Sequence, residues 1–163
     1  MTQPKIYLAL YKGHKTIERP YDLIARFSDG LTRFLTAGPY SHCELAVQVS
    51  DGCFDCYSSS IRDGGVRLKT MPLPPEKWDL LELPSGIKDH ARLQFVFGNT
   101  RGRRYDWLGA VGVVAYTRQR SDKWFCSEWC AYVLDHTDPH RFSPNSLAKL
   151  QAALASQPVG AQP

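Results

Sequence analysis

The chain has no apolar run long enough to cross a bilayer, for which a helix needs about 20 residues. The longest candidate segment, 107–116, has ten residues, two of which are glycine. The sequence also lacks the charged leader, apolar stretch and small-residue cleavage site of a secretory signal. We therefore expect a protein that is cytoplasmic as synthesised and has no stable membrane insertion, with export by a non-classical route left open.

A concentrated basic surface is missing as well. The 163 residues carry a formal net charge of +4, and the positive side chains are spread along the chain except for short clusters at 101–104 and 118–123. Domains that bind nucleic acids usually gather Lys and Arg on one face. We therefore expect no nucleic-acid partner and interpret the two clusters as solvated loops. The oligomeric state is not specified by any pattern in the sequence.

Cysteine is present but in an odd number. The five cysteines cannot all pair, and no export signal accompanies them, so a disulfide framework is not expected. Cys53 and Cys56 form a C-x-x-C motif inside a strand pattern, where positions three apart point to opposite faces. Cys126 and Cys130 are four apart on a predicted helix and can share a face. Buried thiols explain these residues better than a four-cysteine zinc site, so we predict neither a metal nor a cofactor.

Composition and periodicity predict one α+β domain over residues 1–155, followed by a flexible tail at 156–163. Apolar residues make up 43% of the chain, which is enough for a packed core. Alternation with period two predicts strands at 6–11, 41–50, 53–60, 66–69 and 78–83. Helical spacing predicts helices at 20–35, 89–98, from 105, at 126–134 and from 143. We therefore predict a central, mostly antiparallel sheet of about five strands packed against helices.

Cys126 is the candidate nucleophile of this domain. It begins a predicted helix, whose positive end lowers the pKa of a thiol and offers backbone N–H groups to an oxyanion. Glu128 in the first turn favours a helix start at this position. Ser127 and Tyr105 are candidates for binding the substrate or the oxyanion.

His42 is the candidate base, and a third group should orient its imidazole. Strand alternation places Glu44 on the same face, roughly 7 Å along the strand, within reach of the substrate or of the nucleophile's surroundings. If the Asp-Gly pair at 51–52 forms a two-residue turn, strand parity also puts Asp55 and Tyr57 on that face. Asp55 is ionisable but lies nearer the turn, whereas Tyr57 is closer to the imidazole. The sequence does not choose among these three residues.

These segments together resemble the circularly permuted branch of the NlpC-type, papain-like cysteine peptidase superfamily. The resemblance covers most of the chain and is carried by Ser41-His42-x-Glu44, Tyr105-Asp106-x-x-Gly109, Cys126-Ser127-Glu128 and Ser143-Pro144-Asn145-x-Leu147. It implies a small sheet packed on helices, with Cys126 as nucleophile, His42 as base and a polar third residue on the next strand. In relatives that residue is often acidic and falls in the stretch matching 55–58, which here is Asp-Cys-Tyr-Ser without a glutamate.

The residues and the resemblance together predict a cysteine hydrolase that cleaves an amide or peptide bond through an acyl-enzyme. Its partner would be an amide, peptide or acyl-conjugate substrate. A thiol acyltransferase or lipid esterase would use the same residues, and a non-catalytic module that binds a host partner would need only the fold. An acyl groove would have to be lined by aromatic residues that are also typical of a core, namely Trp107, Tyr116, Trp124, Phe125 and Trp129.

Overall fold

The computed structural model describes residues 4–13, 30, 33, 36–83, 87–106 and 122–156. Over these ranges the chain has the predicted α+β architecture, with one seven-stranded sheet and three α-helices. The strands are β1 (Ile6–Tyr11), β2 (His42–Ser50), β3 (Cys53–Ser60), β4 (Gly65–Pro72), β5 (Trp78–Glu82), β6 (Arg104–Tyr105) and β7 (Lys123–Trp124). The helices are α1 (Ile87–Thr100), α2 (Cys126–Val133) and α3 (Pro144–Ala155), and a 3₁₀ turn at Pro139–Arg141 precedes α3.

The strands of the sheet follow the order β5-β1-β2-β3-β4-β6-β7. Each neighbouring pair is antiparallel except β6 and β7, which are parallel. The predicted count of about five strands is too low, because β6 and β7 have two residues each and cannot show an alternating pattern. Tyr105, which the sequence pattern assigned to a helix start, is the second residue of β6.

The hairpin between β2 and β3 contains an irregularity that changes which side chains share a face. The register shifts between Gln48 and Ser50, so that Val49 is an extra residue on β2. Because side chains alternate with period two, one inserted residue exchanges the two faces of the following strand. Tyr57 therefore lies opposite Leu45, on the face that does not carry His42.

The sheet has a hydrophobic cluster on each side. The larger cluster packs the sheet against the helices and includes Leu8, Leu10, Leu45, Leu93, Trp129 and Leu147. Trp129 is fully buried there, and its indole N–H donates to the hydroxyl of Thr100 over 2.9 Å. The smaller cluster lies on the opposite face and consists of Ala9, Ala46, Phe54, Cys56 and Leu73.

The three described helices agree with the predicted positions apart from their ends. α2 begins at Cys126, as the sequence indicates, and α1 extends beyond the predicted 89–98 at both ends. Ser143 caps α3 by accepting a hydrogen bond from the backbone N–H of Ser146 over 3.1 Å. Most of the predicted helix at 20–35, the segment 107–116 and the tail beyond 156 lie outside the described residues. Within the described part of the chain, none of the helices has the length and apolar character needed to span a membrane.

Asn145, at the start of α3, connects this helix to the segment that leads into β2. Its side-chain oxygen accepts from the backbone N–H of Tyr40 over 3.0 Å, and its amide donates to the Tyr40 carbonyl over 2.8 Å. The amide also donates to the hydroxyl of Thr36 over 2.6 Å. A Cβ atom at Gly38 would overlap the Asn145 side chain, so the contact tolerates no larger residue there. Asn145 thus fixes the backbone immediately before His42.

We expect Asn145→Ala to lower the free energy of unfolding by about 1–3 kcal/mol, because it removes three hydrogen bonds to half-buried groups of the 36–40 segment. Urea denaturation followed by circular dichroism measures the change. The matched control is Asn99→Ala, since the Asn99 side chain is exposed and bonds only within α1; we expect a change of less than about 0.5 kcal/mol there. Equal losses in the two variants would contradict this role for Asn145.

Candidate functional site

Cys126 is the first residue of α2, and local contacts hold the start of this helix in place. The hydroxyl of Ser59 on β3 donates to the Trp124 carbonyl over 2.7 Å, which ties the preceding strand to the sheet. The hydroxyl of Ser127 donates to the Phe142 carbonyl over 2.7 Å. The carboxyl of Glu128 accepts from the backbone N–H of Phe125 over 3.4 Å. These bonds fix the helix end at which the Cys126 thiol lies.

His42 is the first residue of β2, opposite Tyr11 of β1. Its Nε2 forms a 2.9 Å hydrogen bond with a carboxylate oxygen of Glu44. The Trp78 ring packs edge-to-face against the His42 imidazole, with the two ring centroids 6.4 Å apart. The Cys126 thiol lies close enough to the imidazole for each group to shift the other's pKa.

Cys126 and His42 shift each other's pKa in opposite directions. The hydrogen bond from the Cys43 thiol lowers the pKa of Cys126 most; burial opposes it, and the charge and hydrogen bond of His42 lower it further, to well below the ordinary value. Burial lowers the pKa of His42, but the charge and hydrogen bond of Cys126 and the contact with Glu44 outweigh it and raise the pKa to about 10. Both shifts favour the thiolate form of Cys126 and the protonated form of His42.

Glu44 is ionised although its side chain is almost completely buried. Burial alone would raise its pKa, but hydrogen bonds from His42 and Arg67 lower it to about 2. Arg67 approaches with both terminal nitrogens, Nη2 at 2.7 Å from one carboxylate oxygen and Nη1 at 3.0 Å from the other. The Nε of Arg67 in turn donates to Asp63 over 2.9 Å. Positive and negative groups thus alternate from Cys126 to the turn that joins β3 and β4.

Three cysteines meet where α2 crosses β2. Burial raises the pKa of Cys43 well above the ordinary value, as do its hydrogen bonds with Cys126 and Cys130, so Cys43 remains a thiol and acts as a donor. The thiol of Cys130, one helical turn after Cys126, lies 3.8 Å from the Cys43 carbonyl oxygen. Cys126 and Cys130 do share a helix face, as predicted, and all three residues are free thiols. Cys43 is thus the neighbour that lowers the pKa of Cys126 most.

Asp55 and Tyr57 do not join this group. The prediction that they share a face with His42 is wrong, because the extra residue Val49 reverses the alternation of β3. The Asp55 carboxylate instead accepts from the hydroxyl of Thr70 over 2.6 Å. The Tyr57 hydroxyl accepts from Gln94 of α1 over 2.9 Å, and its ring belongs to the larger core. Of the three candidate orienting residues, the structure brings only Glu44 to the imidazole.

Ser127 and Tyr105 lie near the start of α2 in different surroundings. The Ser127 side chain is fully buried and is bonded to the Phe142 carbonyl. Tyr105 is half-buried on β6 and pairs with Trp124, two residues before Cys126. Among the aromatic residues considered for an acyl groove, Trp124, Phe125 and Trp129 are buried in the core, and Trp107 and Tyr116 lie outside the described residues. These three residues therefore belong to the core and do not line a groove.

Arg67 was not singled out by the sequence pattern, although the signal was present. It follows Val66 in a short predicted strand, and in the register of the hairpin it lies opposite Ser58. Glu44 on β2 is a buried acid, and buried acids are usually paired with a positive side chain. Arg67, two strands away on β4, is the expected partner. The correct β2–β3 register would have been needed to find it. No group of three or more His, Cys, Asp or Glu residues in the described ranges has an arrangement that could hold a metal ion.

We expect Cys43→Ala to slow alkylation of Cys126 by iodoacetamide at acidic pH by about tenfold or more. The variant loses a donor to a charged group, and such a bond contributes about 1.5–3 kcal/mol. Peptide mass spectrometry after timed alkylation across a pH series measures the rate at Cys126. The control is Cys130→Ala, which removes a neighbouring thiol that does not bond to Cys126; an unchanged pH profile in both variants would show that Cys43 has no such role.

Comparison with protein-family models, with curated proteins and with solved structures finds no match to this chain. A function for this protein has to be argued from the geometry of the site. The site in question is the row of charged groups that runs from Cys126 through His42 and Glu44 to Arg67.

Proposed function

We propose that this protein is a cysteine hydrolase that cleaves an amide or peptide bond, with Cys126 as nucleophile and His42 as general acid and base. The observation that carries the proposal is the position of Cys126 at a helix start beside His42, whose Nε2 bonds the buried carboxylate of Glu44. Nucleophile, base and orienting residue in this arrangement are the parts of covalent acyl transfer. The order of His before Cys supports a permuted papain-like fold within the α+β class.

The reaction would begin with the thiolate of Cys126. Its sulfur attacks the substrate carbonyl carbon and forms a C–S bond, while the carbonyl oxygen becomes an oxyanion. The first backbone N–H groups of α2 have no intrahelical acceptor, and the helix end carries a partial positive charge, so both favour this oxyanion. The imidazolium of His42 then gives its proton to the leaving nitrogen as the C–N bond breaks.

Release of the acyl group reverses these roles. The now neutral His42 accepts a proton from a water molecule, whose oxygen attacks the thioester carbon. The C–S bond breaks, the carboxylic acid leaves, and the thiolate–imidazolium pair is restored. Glu44 stays ionised throughout and stabilises the imidazolium in the two stages in which His42 carries the proton. An amine in place of water would give acyl transfer from the same intermediate.

Cys126→Ser is expected to reduce acylation by p-nitrophenyl acetate by about a thousandfold or more, as loss of the nucleophile does in other triads. Rapid-mixing absorbance measures the burst of nitrophenol, and peptide mass spectrometry locates the acetyl group. The control is Cys130→Ala, which should keep the burst. Cys53 is the only one of the five cysteines that is not buried. Acetylation of Cys53 instead of Cys126, or no acylation at all, would contradict the proposal and favour a non-catalytic binding module.

The pH dependence of acylation follows from the protonation of the pair. The rate rises once Cys126 is deprotonated, which occurs well below the ordinary pKa of a thiol, and falls as His42 loses its proton near pH 10. Glu44→Gln removes one of the groups that raise the pKa of His42, so the alkaline limb should move to lower pH. Stopped-flow acylation rates across a pH series measure both limbs, and an alkaline limb unaffected by Glu44→Gln would contradict the assignment.

A further inference from the structure

Arg67 reaches Glu44 across an intervening strand. It lies opposite Ser58 in the β3–β4 register, and extending the β2–β3 register by one residue places Ser58 beside Glu44. Neighbouring strands are about 4.8 Å apart, so roughly 10 Å separates the backbones of Arg67 and Glu44. A long side chain spans this gap only if the side chain between the two residues is short. Ser58, which is fully buried, has such a short side chain.

Every nitrogen of the Arg67 guanidinium is used in the described contacts. Nη1 and Nη2 each bond one oxygen of the Glu44 carboxylate. Nη1 also donates to the Cys56 carbonyl over 2.9 Å, and Nε donates to Asp63 over 2.9 Å. Two parallel bonds between planar groups fix both the position and the rotation of a carboxylate. The oxygen that Glu44 presents to His42 therefore has a defined direction.

A buried carboxylate without such a partner would take up a proton. Only 1% of Glu44 is exposed, so solvent cannot stabilise its charge. A neutral Glu44 would no longer offer a negative charge to His42, and the imidazolium would be left with the thiolate alone. Arg67 keeps the carboxylate ionised, and Asp63 in turn balances the charge of Arg67.

We propose that Arg67 is a positioning residue that acts through Glu44 and His42 on the reactivity of Cys126. The proposal rests on the proposed function, because it assigns Arg67 to the same site. Arg67 itself touches neither His42 nor the thiol in the described contacts. It bonds the carboxylate of Glu44, and Glu44 bonds His42. A purely structural ion pair would instead affect folding and leave the chemistry of Cys126 unchanged, and the experiment has to separate these two roles.

The test compares Arg67→Met and Arg67→Lys with the unmodified protein. The readouts are the titration of the Cys126 thiolate by ultraviolet absorbance, corrected with Cys126→Ser, and the kcat and KM of p-nitrophenyl acetate turnover. We expect Arg67→Met to move the thiolate titration to higher pH. It should lower kcat by about 10- to 100-fold, the range found for residues that orient a reactive group through another, with KM little changed. Arg67→Lys keeps the charge without the two-point contact and should fall between.

Two further variants keep the result interpretable. Arg92→Met removes an arginine that bonds the carbonyls at the far end of α2 and pairs with Asp135, so it controls for loss of an ion pair elsewhere. If Arg67→Met fails to fold because Glu44 is left uncompensated, the double variant Arg67→Met with Glu44→Gln removes both charges. Because Arg67 acts through Glu44, the double variant should fold and show the same titration of Cys126 as Glu44→Gln alone.

The possible outcomes separate this proposal from the proposed function. A folded Arg67→Met or double variant with the thiolate titration and kcat of the unmodified protein would overturn the role of Arg67. If the unmodified protein has a low-pH thiolate but no turnover with any ester or amide, the hydrolase proposal fails, and the titrations alone then decide the role of Arg67. A displaced titration in Arg67→Met together with an unchanged one in Arg92→Met supports it.

Discussion

The protonated form of His42 is favoured because a group that can carry a negative charge lies on each side of the imidazole. His42 stands between the sulfur of Cys126 and the carboxylate of Glu44, and the charge of Glu44 is in turn balanced by Arg67. Removing charges from water is costly, and only close pairing with full hydrogen bonding offsets the cost. The strands β2, β3 and β4 must therefore keep their mutual register, since a displaced strand would leave one of these charges unpaired.

The helix and the sheet contribute different parts of this arrangement. The sheet supplies His42, Glu44 and Arg67 from two strands of fixed spacing, which gives the charges a rigid frame. α2 supplies Cys126 from its first position, where the backbone favours a negative group. The helix and the sheet are joined by packing in the larger core, where Trp129 is completely buried. The geometry of the site therefore depends on how α2 packs on the sheet. Hydrogen bonds from Asn145 also connect the segment before β2 to α3.

Local pattern was enough to predict the long strands and the start of α2, because each depends on periodicity or on the residues at a helix end. Local pattern could not predict the two-residue strands β6 and β7, because they are defined by pairing with distant segments. The sequence left the choice among Glu44, Asp55 and Tyr57 open, and the face expected for Asp55 and Tyr57 was wrong for a different reason. It depended on counting residues through a turn, and one bulged position changes the count.

The bulge at Val49 has a consequence for how this hairpin tolerates insertions and deletions. A change of one residue between β2 and β3 would bring either Tyr57 or Ser59 to the place of Ser58, and a tyrosine there would close the path of Arg67. A change of two residues preserves the faces and moves only the pairing along the strand. Variants of this segment in related chains should therefore differ by even numbers of residues, unless a second compensating bulge accompanies them.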